Sequence, residues 1–167
     1  KGAAWLAHHH ADLRVADTLV VNSTSCGEIL RDLAPGPSLA AARLPLGIDL
    51  ATFRPGGDRA SARRSLGLPA RAPVLVYTGR LSRQKNVHLL VSVLREVRRR
   101  GVDAHLLVVG AYDDFVIPEA PGDAPIDVAG ALPALVAEER LGRHVTVVPH
   151  LPPDELATVL AAADLGV

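Results

Sequence analysis

The sequence predicts an α/β protein whose parallel sheet is covered by helices on both faces, and two observations lead to that prediction. Short apolar segments, rich in valine or leucine and bounded by turn residues, alternate along the chain with segments of helical periodicity. Such alternation is typical of parallel sheets, because each connection between strands places a helix on one face of the sheet.

Four apolar segments are predicted strands: Thr18 to Val21, Val74 to Thr78, His105 to Val109 and Val145 to Val148. The clearest helix follows Asn86, where apolar residues recur on one helical face: Val87, Leu90, Val91, Leu94 and Val97. Gly101 stands where a helix-terminating glycine is expected.

Two further helices are predicted after this unit. One runs from Pro133 to Leu141, with the proline in its first turn and Gly142 at its end. The other begins at Pro152 with acidic residues in its first turn, and it buries Leu156, Val159 and Leu160. The intervening residues from Ala111 to Gly130 are predicted to form a long loop, and Ala163 to Val167 a helix end that enters a buried strand.

A domain boundary is predicted near residue 50. Two helices, around Trp5 to Leu13 and from Ser23 to Leu33, flank one strand before it, which is too little for a domain. The segment from Pro45 to Gly57 is dense in proline and glycine and reads as a linker. We therefore expect residues 1–49 to be the tail of one domain and residues 50–167 part of a second, within a longer protein.

Composition limits the classes of partner. Basic and acidic residues number 18 each, so the formal net charge is zero and neither nucleic acid nor an anionic membrane is favoured as a partner. The single cysteine, Cys26, has no partner for an internal disulfide, which favours a reducing compartment, the cytoplasm.

The segment from Val74 to Lys85 carries the candidate chemistry. A predicted strand ends at Gly79, Arg80 and Lys85 follow, and a helix opens at Asn86. A helix N-terminus beyond the carboxyl end of a strand suits phosphate, and the two cations would complete a diphosphate cradle without a metal. From spacing alone, solvated loop charges are an equal alternative. Lysine is otherwise found only at Lys1, which favours a specific role for Lys85.

Other signatures predict no site. The sequence has no P-loop and no G-x-G-x-x-G fingerprint. Three consecutive histidines on a helix, His8 to His10, point in different directions and cannot converge on one metal ion. The acidic residues between Asp113 and Asp127 lack EF-hand spacing, so we predict no metal site.

Several segments, in order, resemble the GT-B glycosyltransferases of the retaining family GT4. ADTLVVNST, from Ala16, is similar to the last strand of that family's N-terminal domain, and PLGIDLATFRP, from Pro45, to its interdomain linker. VLVYTGRLSRQKNVHLLV, from Val74, is similar to its phosphate-binding loop and following helix. LLVVG, from Leu106, and the last segment, VTVVPHLPPDELATVLAAADLGV, are similar to strands and a helix of its Rossmann-like C-terminal domain.

The resemblance implies glycosyl transfer, with retention, from a UDP- or GDP-linked sugar, without a cofactor or metal. It implies that Arg80 and Lys85 hold the donor diphosphate behind Gly79. It also implies that the main chain approaches the nucleoside at Gly110, His150 and Leu151. The acceptor is open (small molecule, lipid or glycan), and peripheral membrane contact is expected only through the missing N-terminal domain.

The family's pair of glutamates, its N-terminal glycine-rich loop and the histidine near the donor sugar have no counterpart in residues 1–167. We therefore expect the fragment alone to be inactive. Two alternatives stay open: a nucleotide-sugar 2-epimerase, and a non-catalytic nucleotide-binding α/β domain.

Overall fold

A computed structural model describes residues 18–33, 40–82, 85–112 and 128–167. The chain divides into two compact units, Lys1–Asp49 and Leu50–Val167, and each is treated by itself below. The helix predicted around Trp5, the three histidines from His8 and the acidic loop residues from Asp113 lie outside the described residues.

The first unit contains β1 (Thr18–Val21), α1 (Thr24–Leu33) and β2 (Ala40–Arg43). The two strands pair in parallel, with Thr18 opposite Ala40 and Val21 opposite Arg43. The prediction lacked β2, because a run of alanines has little strand propensity and shows no alternation of apolar and polar residues. Its pairing with β1 overrides that weak local preference.

The second unit is a sheet of four parallel strands with helices on both faces, which confirms the predicted fold class. The strand order is β5-β4-β3-β6. In chain order its elements are α2 (Arg59–Ser65), β3 (Val74–Thr78), α3 (Val87–Arg99), β4 (His105–Val109), α4 (Val128–Glu138), β5 (Val145–Val148), α5 (Pro153–Ala161) and β6 (Leu165–Gly166).

The strands β3 and β4 point alternate side chains into two separate cores. On one face Leu75, Leu106 and Val108 pack with apolar residues of α3 and α4, among them Val91, Leu94 and Leu132. On the other face Val74, Val76, Leu107 and Val109 pack with residues of α2 and α5, among them Ala62, Val159 and Ala162. Burial on both faces explains why these strands are apolar along their whole length.

The helix α3 matches its prediction. Val87, Val91 and Leu94 are fully buried, and Leu90 and Val97 pack against the same core. The chain turns out of the helix at Gly101, whose φ of +86° is the left-handed conformation that glycine adopts without strain.

The prediction for α4 was wrong at both ends. The helix begins at Val128 rather than Pro133, so the proline lies inside it. It ends at Glu138, and Arg140 rather than Gly142 takes the left-handed conformation, with φ +56°. The amide of Leu141 donates to the carbonyl of Val136 at 2.9 Å, and that of Arg140 to Ala137 at 3.0 Å. This pattern is a Schellman motif closed by a residue other than glycine.

Two other elements differ from expectation. The prediction missed α2, whose arginines, serines and alanines show no apolar periodicity; the amide of Ser61 donates to Asp58 Oδ1 at 3.0 Å and caps it. The terminal strand β6 is present, but Leu165 is exposed rather than buried, because β6 lies at the edge of the described sheet.

A buried arginine, Arg63, ties the amino end of β3 to the end of α5. Its guanidinium donates to the carbonyls of Ala162 at 2.9 Å and Ala70 at 3.0 Å, and to Asp164 Oδ2 at 2.5 Å. The same carboxylate accepts from the Val74 amide at 2.8 Å and from Arg59 at 2.6 Å. Burial alone would raise the pKa of Asp164, but the Val74 amide and the two arginines outweigh it, so that pKa is lowered.

Candidate functional site

Three parallel strands end together at one edge of the sheet. Thr78 pairs with Val109, and Val109 pairs with Val148, so the ends of β3, β4 and β5 lie in register. The residues that follow each strand therefore share the carboxyl edge of the sheet. Gly79, Gly110 and His150, which come from three separate segments, are the predicted site residues at that edge.

The loops after β3 and β4 approach each other very closely at two glycines. A Cβ atom added to Gly110, which has φ +158°, would lie 1.8 Å from the carbonyl oxygen of Gly79 and 2.9 Å from its carbonyl carbon. No side chain fits there. Gly79 itself has φ +152°. Gly110 is required by close packing of the main chain, and a Cβ at Gly79 would meet the hydroxyl of Tyr77 at 2.9 Å.

Main-chain hydrogen bonds continue the pairing of β3 and β4 into these loops. The amide of Gly79 donates to Val109 at 3.0 Å, and the amide of Leu81 donates to Ala111 at 2.8 Å. Leu81 and Tyr112 form an isolated parallel bridge. The loop that carries Arg80 is thus held by its neighbour on the sheet.

Arg80 and Lys85 lie at opposite ends of the same short loop, and both are exposed. The amide of Lys85 donates to the Ser82 carbonyl at 3.1 Å, and Asn86, in the left-handed conformation, precedes the first turn of α3. The side chain of Asn86, at the N-cap position of α3, makes no capping hydrogen bond to the helix. Two cations and the positive end of a helix dipole are therefore brought to the carboxyl edge of β3.

The other two predicted residues follow β5. His150 is exposed, whereas Leu151 is half-buried and packs against the core formed with α2 and α5. The side chain of Leu151 is thus directed to the core, and its main chain is the part available to the edge.

The order of the strands marks this place on the sheet. From β3 the chain adds β4 and then β5 on one side, and it returns to place β6 on the other side of β3. In open α/β sheets a ligand-binding crevice lies outside the carboxyl ends of the strands where the order reverses in this way. Gly79 and Arg80 leave the sheet at that point.

Sequence reasoning missed two polar side chains of the site. Tyr77 stands two residues before Gly79, and its hydroxyl donates to the Arg80 carbonyl at 2.9 Å. Ser82 is buried, and within the described residues its hydroxyl has no hydrogen-bond partner. A tyrosine in a strand otherwise made of valine, leucine and threonine was the available signal for the first; nothing marked the second.

Within the described residues no group of three or more histidine, cysteine, aspartate or glutamate side chains is placed to hold a metal ion. In that same part of the chain, no helix combines the length and the apolar character needed to cross a bilayer.

Curated relatives match nearly the whole chain. A D-inositol 3-phosphate glycosyltransferase of Nocardia farcinica is 34% identical over 152 residues, which cover 90% of this chain and 32% of the relative. D-inositol 3-phosphate glycosyltransferase 1 of Catenulispora acidiphila is 32% identical over 164 residues, covering 98% and 38%. The chain thus spans about a third of the length of these relatives.

Solved structures share the fold. Sucrose-phosphate synthase from Thermosynechococcus elongatus superposes with a TM-score of 0.76 and 28% identity, over 98% of this chain and 37% of that one. Anabaena HepE, solved in complex with UDP and glucose, gives a TM-score of 0.72 and 20% identity, over 92% and 38%. The family model described as glycosyl transferases group 1 matches residues 58–167, most of the chain. The chain belongs to the glycosyl transferases group 1 family.

Proposed function

We propose that the protein containing this chain transfers a sugar, with retention, from a nucleoside-diphosphate donor to an acceptor, and that the loop from Gly79 to Lys85 holds the donor diphosphate. The observation that carries the proposal is geometric. Arg80, Lys85 and the N-terminus of α3 converge on the carboxyl edge of β3, where the strand order reverses.

The chemistry follows from the charge that develops during transfer. The bond between the anomeric carbon and the diphosphate oxygen breaks, its electron pair stays on the diphosphate, and the anomeric carbon becomes oxocarbenium-like. An acceptor hydroxyl then bonds to that carbon on the face from which the diphosphate departs, and its proton passes to the diphosphate oxygen. Arg80, Lys85 and the helix dipole would stabilise the charge on the leaving diphosphate, and well-aimed donors of this kind contribute about 3 kcal/mol each. Protein cations would take the part that a metal ion takes in other transferases.

The buried hydroxyl of Ser82 also supports a ligand at this loop. A buried hydroxyl without a partner costs about 1–3 kcal/mol, and within the described residues Ser82 has none. A loop that tolerates this cost is typical of a binding segment whose arrangement is set for function rather than for stability.

The relatives and structural neighbours suggest which compounds to test first. HepE was solved with UDP, so uridine nucleotides lead the donor panel and GDP- and ADP-sugars follow. Because the relatives are named D-inositol 3-phosphate glycosyltransferases, D-inositol 3-phosphate is the first acceptor to test with this protein. We also propose a cytoplasmic location, because Cys26, the one cysteine of residues 1–167, is a free exposed thiol.

The decisive experiment replaces the two cations singly in the intact protein. Arg80→Ala and Lys85→Ala should each lower turnover at least about tenfold, because each removes a charge that stabilises the departing diphosphate. Arg143→Ala is the matched control, an exposed arginine that precedes β5 at the opposite edge of the sheet.

Thermal unfolding of each variant checks that the fold is kept. Near-normal turnover of either site variant would contradict the proposed role of that residue. Product analysis separates the remaining activities: a donor epimer without transfer indicates a 2-epimerase, and a bound donor without any product indicates a nucleotide-binding protein.

A further inference from the structure

Tyr77 lies directly under the turn that carries Arg80. It is the fourth residue of β3, it is half-buried, and its hydroxyl donates to the carbonyl oxygen of Arg80 at 2.9 Å. The hydrogen bond spans the turn at Gly79. It fixes the peptide plane between Arg80 and Leu81, from which the loop continues toward Lys85.

The ring and the glycine fit each other. A Cβ atom at Gly79 would meet the hydroxyl oxygen of Tyr77 at 2.9 Å and its Cζ at 3.3 Å. The tyrosine therefore occupies the space that any side chain at position 79 would need. The main chain at Gly79, with φ +152°, turns next to this hydroxyl, which bonds the carbonyl of the following residue, Arg80.

The state of the hydroxyl suits this role. Burial raises the pKa of Tyr77 above its usual value, and the charge of Arg80 offsets only part of that rise. The phenol stays protonated at neutral pH and remains a donor. The main-chain carbonyl of Arg80 is the group that accepts this hydrogen bond.

We propose that Tyr77 is a positioning residue, which holds the Arg80 carbonyl and so aims the Arg80 side chain at the donor diphosphate. This inference rests on the proposed function of the loop. Tyr77 acts through Arg80 and need not touch the donor itself. The amide of Leu81, on the other side of the same peptide, donates to the Ala111 carbonyl at 2.8 Å, so the Tyr77 hydroxyl and the Ala111 carbonyl hold this peptide from both sides.

The test uses Tyr77→Phe in the intact protein, because this variant keeps the ring and its packing and removes only the hydroxyl. The probes are UDP, GDP and the corresponding nucleosides without phosphate, with binding measured by calorimetry. We expect about fivefold weaker binding of the diphosphate, the size of one lost hydrogen bond, and unchanged binding of the nucleoside. A purely structural role would weaken both equally or lower only the unfolding temperature.

A double-mutant cycle with Arg80→Ala sharpens the result. If Tyr77 acts through Arg80, adding Tyr77→Phe to Arg80→Ala should cause no further loss of diphosphate binding. A fully additive loss, or wild-type binding by Tyr77→Phe alone, would overturn the positioning role.

The same experiment separates this inference from the proposed function. If Arg80→Ala and Lys85→Ala weaken diphosphate binding and Tyr77→Phe does not, only the positioning role falls. If the intact protein binds neither diphosphate, or binds one with no contribution from Arg80 and Lys85, the proposed function falls and the positioning role with it.

Discussion

Gly110 is the residue with the least freedom at the candidate site, since its α-carbon faces the carbonyl of Gly79 at the base of both loops. Gly110→Ala would place a methyl group 1.8 Å from that oxygen. Main chain cannot move aside as a flexible side chain can, so the two loops must separate. We expect the variant to lose at least about 3 kcal/mol of stability, read as the free energy of unfolding in urea.

Gly142→Ala is the control for this substitution, because a Cβ there has nothing within 4 Å and the glycine has no left-handed conformation. Equal stability of the two alanine variants would contradict the close approach of Gly79 and Gly110.

At the scale of single residues, the sequence allowed the location of the site to be predicted but not its internal contacts. Arg80 and Lys85 were identified because strand, glycine, cation and helix follow in order. Tyr77 was not identified, because a hydrogen bond to a main-chain carbonyl produces no sequence motif. The same holds for Ser82, whose buried hydroxyl has no partner within the described residues. The binding roles of all the predicted site residues stay predictions: Gly79, Arg80, Lys85, Gly110, His150 and Leu151.

At the scale of elements, the C-terminal end of α4 offers a test of helix capping. Arg140 holds the left-handed position of the Schellman motif with φ +56°, a conformation that costs a non-glycine residue about 1–2 kcal/mol. Arg140→Gly should therefore stabilise the protein by about 0.5–1 kcal/mol, after the added freedom of the unfolded chain is subtracted. A rise in the thermal midpoint measures the gain.

Arg140→Ala is the matched control, because alanine pays the same conformational cost as arginine. It also removes any effect of the arginine side chain. If alanine stabilises the chain as much as glycine does, the backbone conformation is not the cause.

The elements differ in how far their sequences reveal them. The helix α3 was predicted because a helical period dominates its segment, and the four strands were predicted because each is a short apolar run bounded by turn residues. The start of α4 was misplaced because proline was read as a first-turn residue, although the helix tolerates it in its interior. The short helix α2 is held by the Asp58 cap and by Arg63, which a search for apolar periodicity does not detect.

At the scale of the whole folded unit, the Asp164 carboxylate joins α2, β3 and the start of β6. Asp164→Asn keeps the shape of the side chain and removes its charge, leaving the buried Arg63 without its anion. We expect a loss of about 2 kcal/mol at neutral pH, measured by urea unfolding.

The pH dependence has a definite sign. The pKa of Asp164 in the folded chain lies below its ordinary value of 3.8, so its contribution is present above that value and is lost as the pH falls through the lower, folded pKa. The difference between wild type and Asp164→Asn should therefore shrink as the pH falls from about 5 to below the folded pKa. Glu138→Gln, on an exposed carboxylate at the end of α4, is the control and should change stability little. A difference that stays constant over this range would contradict the role of the charge.

The pairing of β3 and β4 continues into their loops at Leu81 and Tyr112. The groups that hold these loops together are therefore different from the side chains that the loops present to a ligand. Amides and carbonyls form the hydrogen bonds between the two loops, so exposed side chains along the rim can change without breaking those bonds. Substitutions at exposed positions of the rim should therefore leave the pairing of the two loops intact.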